Sequence, residues 1–299
     1  MSSTASQREL AGTGSDVQIR RARVEDAEVC GRIFYEAFTA INRDHNFAPE
    51  IPSAEAGIEI MGMLFSHPEH YCVVAESDGR VVGSNCIDER CEITGLGPLS
   101  VDPNFQNGGI GRRLMSALLD RVQSRGSAGV RLMQSAFHNR SLSLYAKLGF
   151  DVREPMSVMT GKAIGSAAEG GQVRSAVMGD VDRCNQLCQR VHGVIRGGEL
   201  RDGIGQGTAL VVEREGRITG YATGFGYLAH AVAEANPDLQ VLIMGAKNVS
   251  GPGILVPTRN AELFRWCLAN GLRVLQPMTL MTIGFYKEPE GAYLPSVNY

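Results

Sequence analysis

The sequence predicts an α+β protein made of two tandem domains, each a twisted mixed sheet flanked by helices, and three observations carry that expectation. The chain has 299 residues, beyond the size at which one hydrophobic core is usual. Segments of its first half reappear in the same order in its second. Within each half, strand-like and helix-like periodicities alternate around short turns.

The duplication is clearest at the start of each half. Ile19 to Phe34 aligns without gaps to Val173 to Cys188, so that Arg20, Ala22, Asp26 and Cys30 face Arg174, Ala176, Asp180 and Cys184. Val74 to Gly83 (VAESDGRVVG) then matches Val211 to Gly220 (VVEREGRITG), each reading as strand, charged glycine turn and strand. Gly149 and Val152 correspond to Gly271 and Val274 near the two ends. Small polar residues from Gly161 to Gly171 have the composition of a linker. The expected organisation is a disordered tail over 1–16, a first domain over 17–160, a linker over 161–171 and a second domain over 172–299, each domain folding on its own.

In the first half, Ile19 to Arg21 opens the sheet, and Cys30, Ile33, Phe34, Ala37 and Phe38 form the apolar stripe of a helix. Tyr71 to Ala75 and Val81 to Ile87 make a hairpin, and Ile93 to Val101 a further strand. Ile110, Leu114, Leu118 and Val122 recur at helical spacing. Val130 to Ala136 is a strand and Ser141 to Leu148 a helix. In the second half, Phe225 to Ala246 reads as largely helical, and Thr279 to Tyr286 as the last strand.

Composition narrows the function classes. Hydrophobic residues make up 43% and charged residues 20%, which is enough apolar material for two cores. A net charge of -3 supplies no basic field for nucleic acid or anionic lipid, so neither is expected as a partner. Met1 to Ser15 lack the apolar stretch of a secretory signal and no run approaches the roughly 20 apolar residues of a membrane span, giving a cytoplasmic expectation. The seven cysteines show no metal-ligand spacing, and Cys184 and Cys188 read as buried thiols on one helix face, so no metal is expected.

The informative stretch is Val101 to Leu114 (VDPNFQNGGIGRRL): a strand ends, glycines at 108, 109 and 111 follow, and an amphipathic helix begins. Glycines let backbone amides approach a pyrophosphate closely, and the free N–H groups and dipole of a helix start stabilise its charge. Asn107 through Arg112 would form this cradle, with Arg112 or Arg113 adding a contact to phosphate. The spacing is not GxGxxG and no Gly-Lys-Ser/Thr follows, which excludes the Rossmann and Walker motifs.

These residues resemble the cofactor loop of the GNAT acetyltransferases, Gln/Arg-x-x-Gly-x-Gly/Ala, present here as Gln106-Asn107-Gly108-Gly109-Ile110-Gly111 after Val101-Asp102-Pro103. The family's second signature, an Asn-led helix ending Leu-Tyr-x-x-x-Gly-Phe, is similar to His138 through Phe150. With Tyr145 aligned, His138 occupies the usual Asn position and Asn139 follows; helix capping is the alternative role for both.

The resemblance implies acetyl-CoA as acyl donor, bound by Leu99, Ser100, Val101, Gln106, Asn107, Gly108, Gly109, Ile110, Gly111, Arg112, His138, Asn139 and Tyr145. It implies that the strand at Leu99 to Val101 splays from Val130 to Ala136, that pantetheine enters the gap, and that the N–H of Leu99 or Val101 polarises the thioester carbonyl. Tyr145 is the expected general acid toward the CoA thiolate, packing between helix and sheet being its structural alternative. Related enzymes often carry a glutamate base where this chain has Gly95; Asp88, Glu89 and Glu92 are the nearest carboxylates. His45 and Phe47, in the segment HNFAPEIP, are candidates for the acceptor side.

Aligned at their ends, the halves set Cys267 opposite Tyr145 and Asn260 opposite His138, and no glycine cradle precedes them. The second domain is therefore expected to be a degenerate copy that packs, shapes the acceptor site or dimerises. The function expected is acetyl transfer to a primary amine of a small molecule or peptide. A CoA-responsive binding protein, motivated by Gly95, and transfer of a different acyl group are the alternatives. A homodimer is included among the expected partners.

Overall fold

A computed structural model describes residues 17–165 and 172–298; the expected tail and most of the linker lie outside them. The first half runs β1 (Gln18–Arg21), α1 (Ala27–Asp44), α2 (Ala54–Ser66), β2 (His70–Ser77), β3 (Arg80–Asp88), β4 (Ile93–Leu96), β5 (Ser100–Val101), α3 (Ile110–Arg125), β6 (Gly129–Ser135), α4 (Asn139–Lys147) and β7 (Asp151–Thr160). The second runs β8 (Gln172–Ser175), α5 (Val181–His192), α6 (Gly197–Gly205), β9 (Leu210–Arg214), β10 (Arg217–Ala222), β11 (Ala231–Ala233), α7 (Asn236–Met244), β12 (Ile254–Pro257), α8 (Ala261–Ala269), β13 (Arg273–Gly284) and β14 (Ala292–Leu294). The architecture is α+β, with twisted sheets flanked by helices.

The sheets do not divide as the sequence halves do. The larger has the order β1-β2-β3-β4-β6-β13-β7-β12, with β5 pairing β3; the smaller is β14-β11-β10-β9-β8. Strand β13 of the second half lies between β6 and β7 of the first, antiparallel to both, in ladders from Met278↔Ser135 and from Arg273↔Thr160. In turn β7 pairs with β12. This corrects the expectation of two domains folding on their own, because removing either half strips backbone partners from the other and leaves buried N–H and C=O groups unpaired.

Three local readings also change. The expected strand Ile93 to Val101 is two strands, since Pro98 lacks an N–H and the chain leaves β6 after Gly95↔Arg131 to pair with β3 at Ser100 and Val101. Only Asn236–Met244 of the expected helix is helical: Pro237 sits in the first turn, where its missing N–H costs nothing, and Ala231–Ala233 before it pairs on both edges. The last long strand starts at Arg273, and β14 follows it.

The repeated residues take the same structural part in both halves. Arg20 donates to Asp26 at 2.7 Å and Arg174 to Asp180 at 2.6 Å, and each arginine also reaches a glutamate on the neighbouring strand, Glu76 or Glu213. The carboxylates accept the N–H of Arg23 and of Val177. Cys30 and Cys184 are buried beneath, and Cys188 is a buried free thiol as well. On α3, Leu114, Met115 and Leu118 are fully enclosed, each contributing roughly 1.5–3 kcal/mol by burial, which fixes the helix start against the sheet.

The second of these carboxylates yields a test. Hydrogen bonding from Arg174 holds the Asp180 carboxyl down to about 2. A depressed carboxyl contributes stability that is present above its unfolded value and lost as pH falls through the folded one. Asp180→Asn is expected to cost about 2 kcal/mol at pH 7, the gap to the parent protein shrinking below about pH 4. Urea unfolding at pH 7 and pH 3 measures it, and an equal gap at both would contradict the assignment.

Candidate active site

A cavity of about 1010 Å³ opens where β4 and β6 part. Its floor carries Leu99, Ser100 and Val101 on one side and Leu132, Met133, Gln134 and Ser135 on the other. Asp102 N donates to Val82 O on β3. Because strand N–H groups alternate in direction, that of Val101 faces away from β3, into the gap. Ser100 is buried and bonds through its hydroxyl to Ser84 at 3.3 Å.

At one end stands the glycine loop. Gln106 Nε2 donates to Val101 O at 3.1 Å, tying the loop to β5. Asn107 and Gly109 have φ of 70° and 81°, and α3 starts at Ile110 without a side-chain cap, which leaves its first N–H groups available to a ligand. A Cβ on Gly109 would meet nothing within 4 Å, so it is the left-handed backbone of the turn, and not crowding by a neighbour, that favours glycine there. Gln106, Asn107, Gly109, Ile110, Gly111 and Arg112 all line the cavity, whereas Gly108 does not. The two arginines separate: Arg113 donates to Val17 O, and Arg112 faces the cavity.

Helix α4 forms the opposite wall with His138, Asn139 and Tyr145. His138 precedes the helix but makes no side-chain capping bond, which removes the capping alternative for it. Burial lowers its imidazole from the ordinary range. Tyr145 packs near Phe150, its phenol pushed up to about 12 by burial. Two residues here carried no legible signal. Arg140 reaches Asn107 Oδ1 at 2.8 Å and Gln106 Oε1 at 3.4 Å, clasping the loop. Gln134 Nε2 donates to His138 O and Ser141 Oγ, while its Oε1 is a buried acceptor that lines the cavity and has no partner among the described residues.

At the far end the predicted residues fare differently. Phe47 stacks on Phe137 at 4.1 Å and His45 lies 5.3 Å from the same ring, so both support the β6–α4 turn and neither lines the cavity. Asp88 is bound by Arg90, Glu89 by Arg121 and Arg125, and Glu92 accepts the N–H of Ile195; none reaches the cavity. The carboxylates that do are Glu50, in the loop between α1 and α2, and Glu59 on α2. Glu50 lies inside the segment singled out from sequence, but its role depends on distant partners. Gly95 also has a structural cause: a Cβ there would fall 1.7 Å from Asn298 O. Val297 and Asn298 line this end, Val297 N donating to Tyr227 O at 2.7 Å.

In the second half the corresponding slot, between β11 and β12, is filled. Strand β14 pairs antiparallel with β11 at Ala231↔Leu294 and packs on β12. Asn236 and Asn260 exchange amide hydrogen bonds at 3.1 and 2.7 Å where the first half has its open loop, and Cys267 is buried. Arg259 pairs with Glu288 at 3.7 Å.

Among the described residues no group of histidines, cysteines and carboxylates could hold a metal ion, and no helix is long and apolar enough to cross a membrane. Residues 68–152 match the family model of the acetyltransferase (GNAT) domain. A segment of 53 residues is 38% identical to the [ribosomal protein bS18]-alanine N-acetyltransferase of Escherichia coli K12, covering 18% of this chain and 36% of that protein; the Salmonella typhimurium enzyme matches equally. The chain thus spans about a third of the length of these curated relatives. The fold extends further. The crystal structure of a proposed acetyltransferase from Pyrococcus horikoshii superposes with a TM-score of 0.71 over 95% of this chain and 94% of that one, at 18% identity. A GCN5-related N-acetyltransferase from Sphaerobacter thermophilus gives 0.58 over 91% and 96%, at 17% identity.

Proposed function

We propose, for a chain that carries a GNAT acetyltransferase domain over residues 68–152 within a fold of that superfamily, that it transfers acetyl from acetyl-CoA to a primary amine. The observation that carries this reading is the polarity of the cavity. Arg112 and Arg140 stand at its glycine loop, Arg140 bonding Asn107, and Glu50 faces the cavity beside Tyr227 and Gln276 of the second half. An anionic nucleotide and a cationic acceptor would each meet the opposite charge, with the thioester between them.

Acetyl-CoA, when bound, supplies the acetyl thioester. Ile110 to Arg112 would hold the pyrophosphate with backbone N–H groups and the Arg112 guanidinium. Gln134 would take an amide N–H of the pantetheine arm. The N–H of Leu99 or Val101 would meet the charge that develops on the thioester carbonyl, an arrangement worth roughly 3–4 kcal/mol in other acyl-transfer sites. The Tyr145 phenol, protonated throughout the neutral range, would donate to the departing sulfur.

Incubation with acetyl-CoA and an amine panel, read by thiol release and by mass spectrometry of the acceptor, tests the reading. The expected product is an acceptor heavier by one acetyl group, with one thiol released per product. Thiol release with no acetylated amine would contradict it.

A further inference from the structure

We infer that the acceptor is a small amine with an apolar body whose ammonium group is received by Glu50, in a carboxylate clamp assembled from both halves of the chain. The inference rests on the acetyl-transfer reading above and adds to it the acceptor class and the residue that takes the proton.

The clamp is built across long sequence separations. Glu50 Oε2 accepts from the Tyr227 hydroxyl at 3.1 Å, and Oε1 accepts from Gln276 Nε2. Tyr227 lies between β10 and β11, and Gln276 is buried in β13, so both donors come from the second half. These two neutral donors fix the carboxylate without neutralising it. A carboxylate has about four acceptor positions, and two are used here. Burial holds the Glu50 carboxyl above its ordinary range against both hydrogen bonds, which favours its taking a proton. A buried carboxylate facing a cavity is best compensated by a cation bound in that cavity.

The walls define the rest of the acceptor. Phe34, Phe38, Ile41, Ile60 and Leu64 face the cavity from α1 and α2, while Tyr227 and Val297 close it from the second half. Apolar side chains satisfy a hydrocarbon body. They would leave the carbonyl and N–H groups of an entering polypeptide without partners, at about 1–3 kcal/mol for each group. The same volume must also hold the reactive end of the acyl donor, which limits the acceptor to a small molecule.

The acceptor ammonium gives one proton to Glu50, and the freed nitrogen lone pair forms a bond to the thioester carbonyl carbon. The C–S bond breaks, sulfur keeps its electron pair and takes the Tyr145 proton, and the nitrogen loses its second proton. One of these protons restores Tyr145 and the other leaves to solvent, giving amide, thiol and one net proton. Glu50 and Tyr145 are the catalytic residues in this scheme, and Tyr227 and Gln276 are positioning residues.

The test uses the full chain saturated with CoA, with 2-phenylethylamine and its neutral analogue 2-phenylethanol titrated calorimetrically. The amine is expected to bind at least tenfold tighter, and Glu50→Gln, which keeps shape and removes charge, to abolish the difference. Tyr227→Phe is expected to raise the amine KM about tenfold with a smaller change in kcat and no change in acetyl-CoA affinity, a split that loss of packing alone would not produce. Equal affinity for amine and alcohol, or full discrimination retained by Glu50→Gln, overturns the clamp. A peptide acetylated with a higher kcat/KM than 2-phenylethylamine overturns the small-amine class. Amine binding that depends on Glu50 without any acetyl transfer would instead overturn the transferase reading and leave the clamp standing.

Discussion

Gly111→Asp is expected to abolish the stabilisation that acetyl-CoA confers while leaving the unliganded protein at least as stable as the parent. The atoms nearest to a Cβ at this position belong to the Leu144, Leu99 and Val101 side chains, at 3.8–3.9 Å, an ordinary contact distance. A carboxylate in the first turn of α3 also interacts favourably with the helix dipole, by about 0.3–1 kcal/mol. Folding therefore accepts the substitution, whereas a phosphate would meet both a side chain and a negative charge. At a hundred times Kd a ligand stabilises by about 2.7 kcal/mol, a readily measured rise in Tm for the parent. Thermal melts with and without saturating acetyl-CoA decide the matter, and an equal rise in the variant would mean that the phosphates bind elsewhere.

Tyr145→Phe is expected to lower kcat by roughly tenfold to a thousandfold with little change in acetyl-CoA affinity. The ring lines the cavity and packs between α4 and the sheet, so Phe preserves shape and removes only the proton donor. Burial lifts the phenol to about 12, which keeps it protonated as a donor up to about pH 10. Loss of activity in the variant should accordingly be of similar size at pH 7 and pH 9. Steady-state rates at saturating substrates measure it, and parental turnover would reduce Tyr145 to a packing residue.

The two predictions concern parts of the site that are local in sequence, and locality explains what could be read there. Residues 99–112 form a strand end, a glycine loop and a helix start. Residues 138–145 form one turn and the helix that follows. In each, spacing alone places the side chains along one wall. The repeat likewise singled out Arg20 and Asp26 with Arg174 and Asp180, although it was the structure that showed each arginine bound to its aspartate.

What sequence did not reveal depends on chain crossings. Insertion of β13 between β6 and β7 brings Gln276 to Glu50 across 226 positions, and Tyr227 reaches it across 177. No periodicity encodes such a meeting. Gly95 read as a missing base, but the residue that forbids a side chain there is Asn298, some two hundred positions later. His45 and Phe47 drew attention as aromatic groups in a variable loop. Their rings found a partner in Phe137, and the less conspicuous Glu50 between two prolines took the place in the cavity.

The first half builds one open cleft, and β14 fills its counterpart in the second. Calorimetric titration of the full chain with acetyl-CoA tests it most directly. One equivalent is expected to bind per chain, with all binding heat lost in Gly111→Asp. Two equivalents, or one that survives Gly111→Asp, would contradict it.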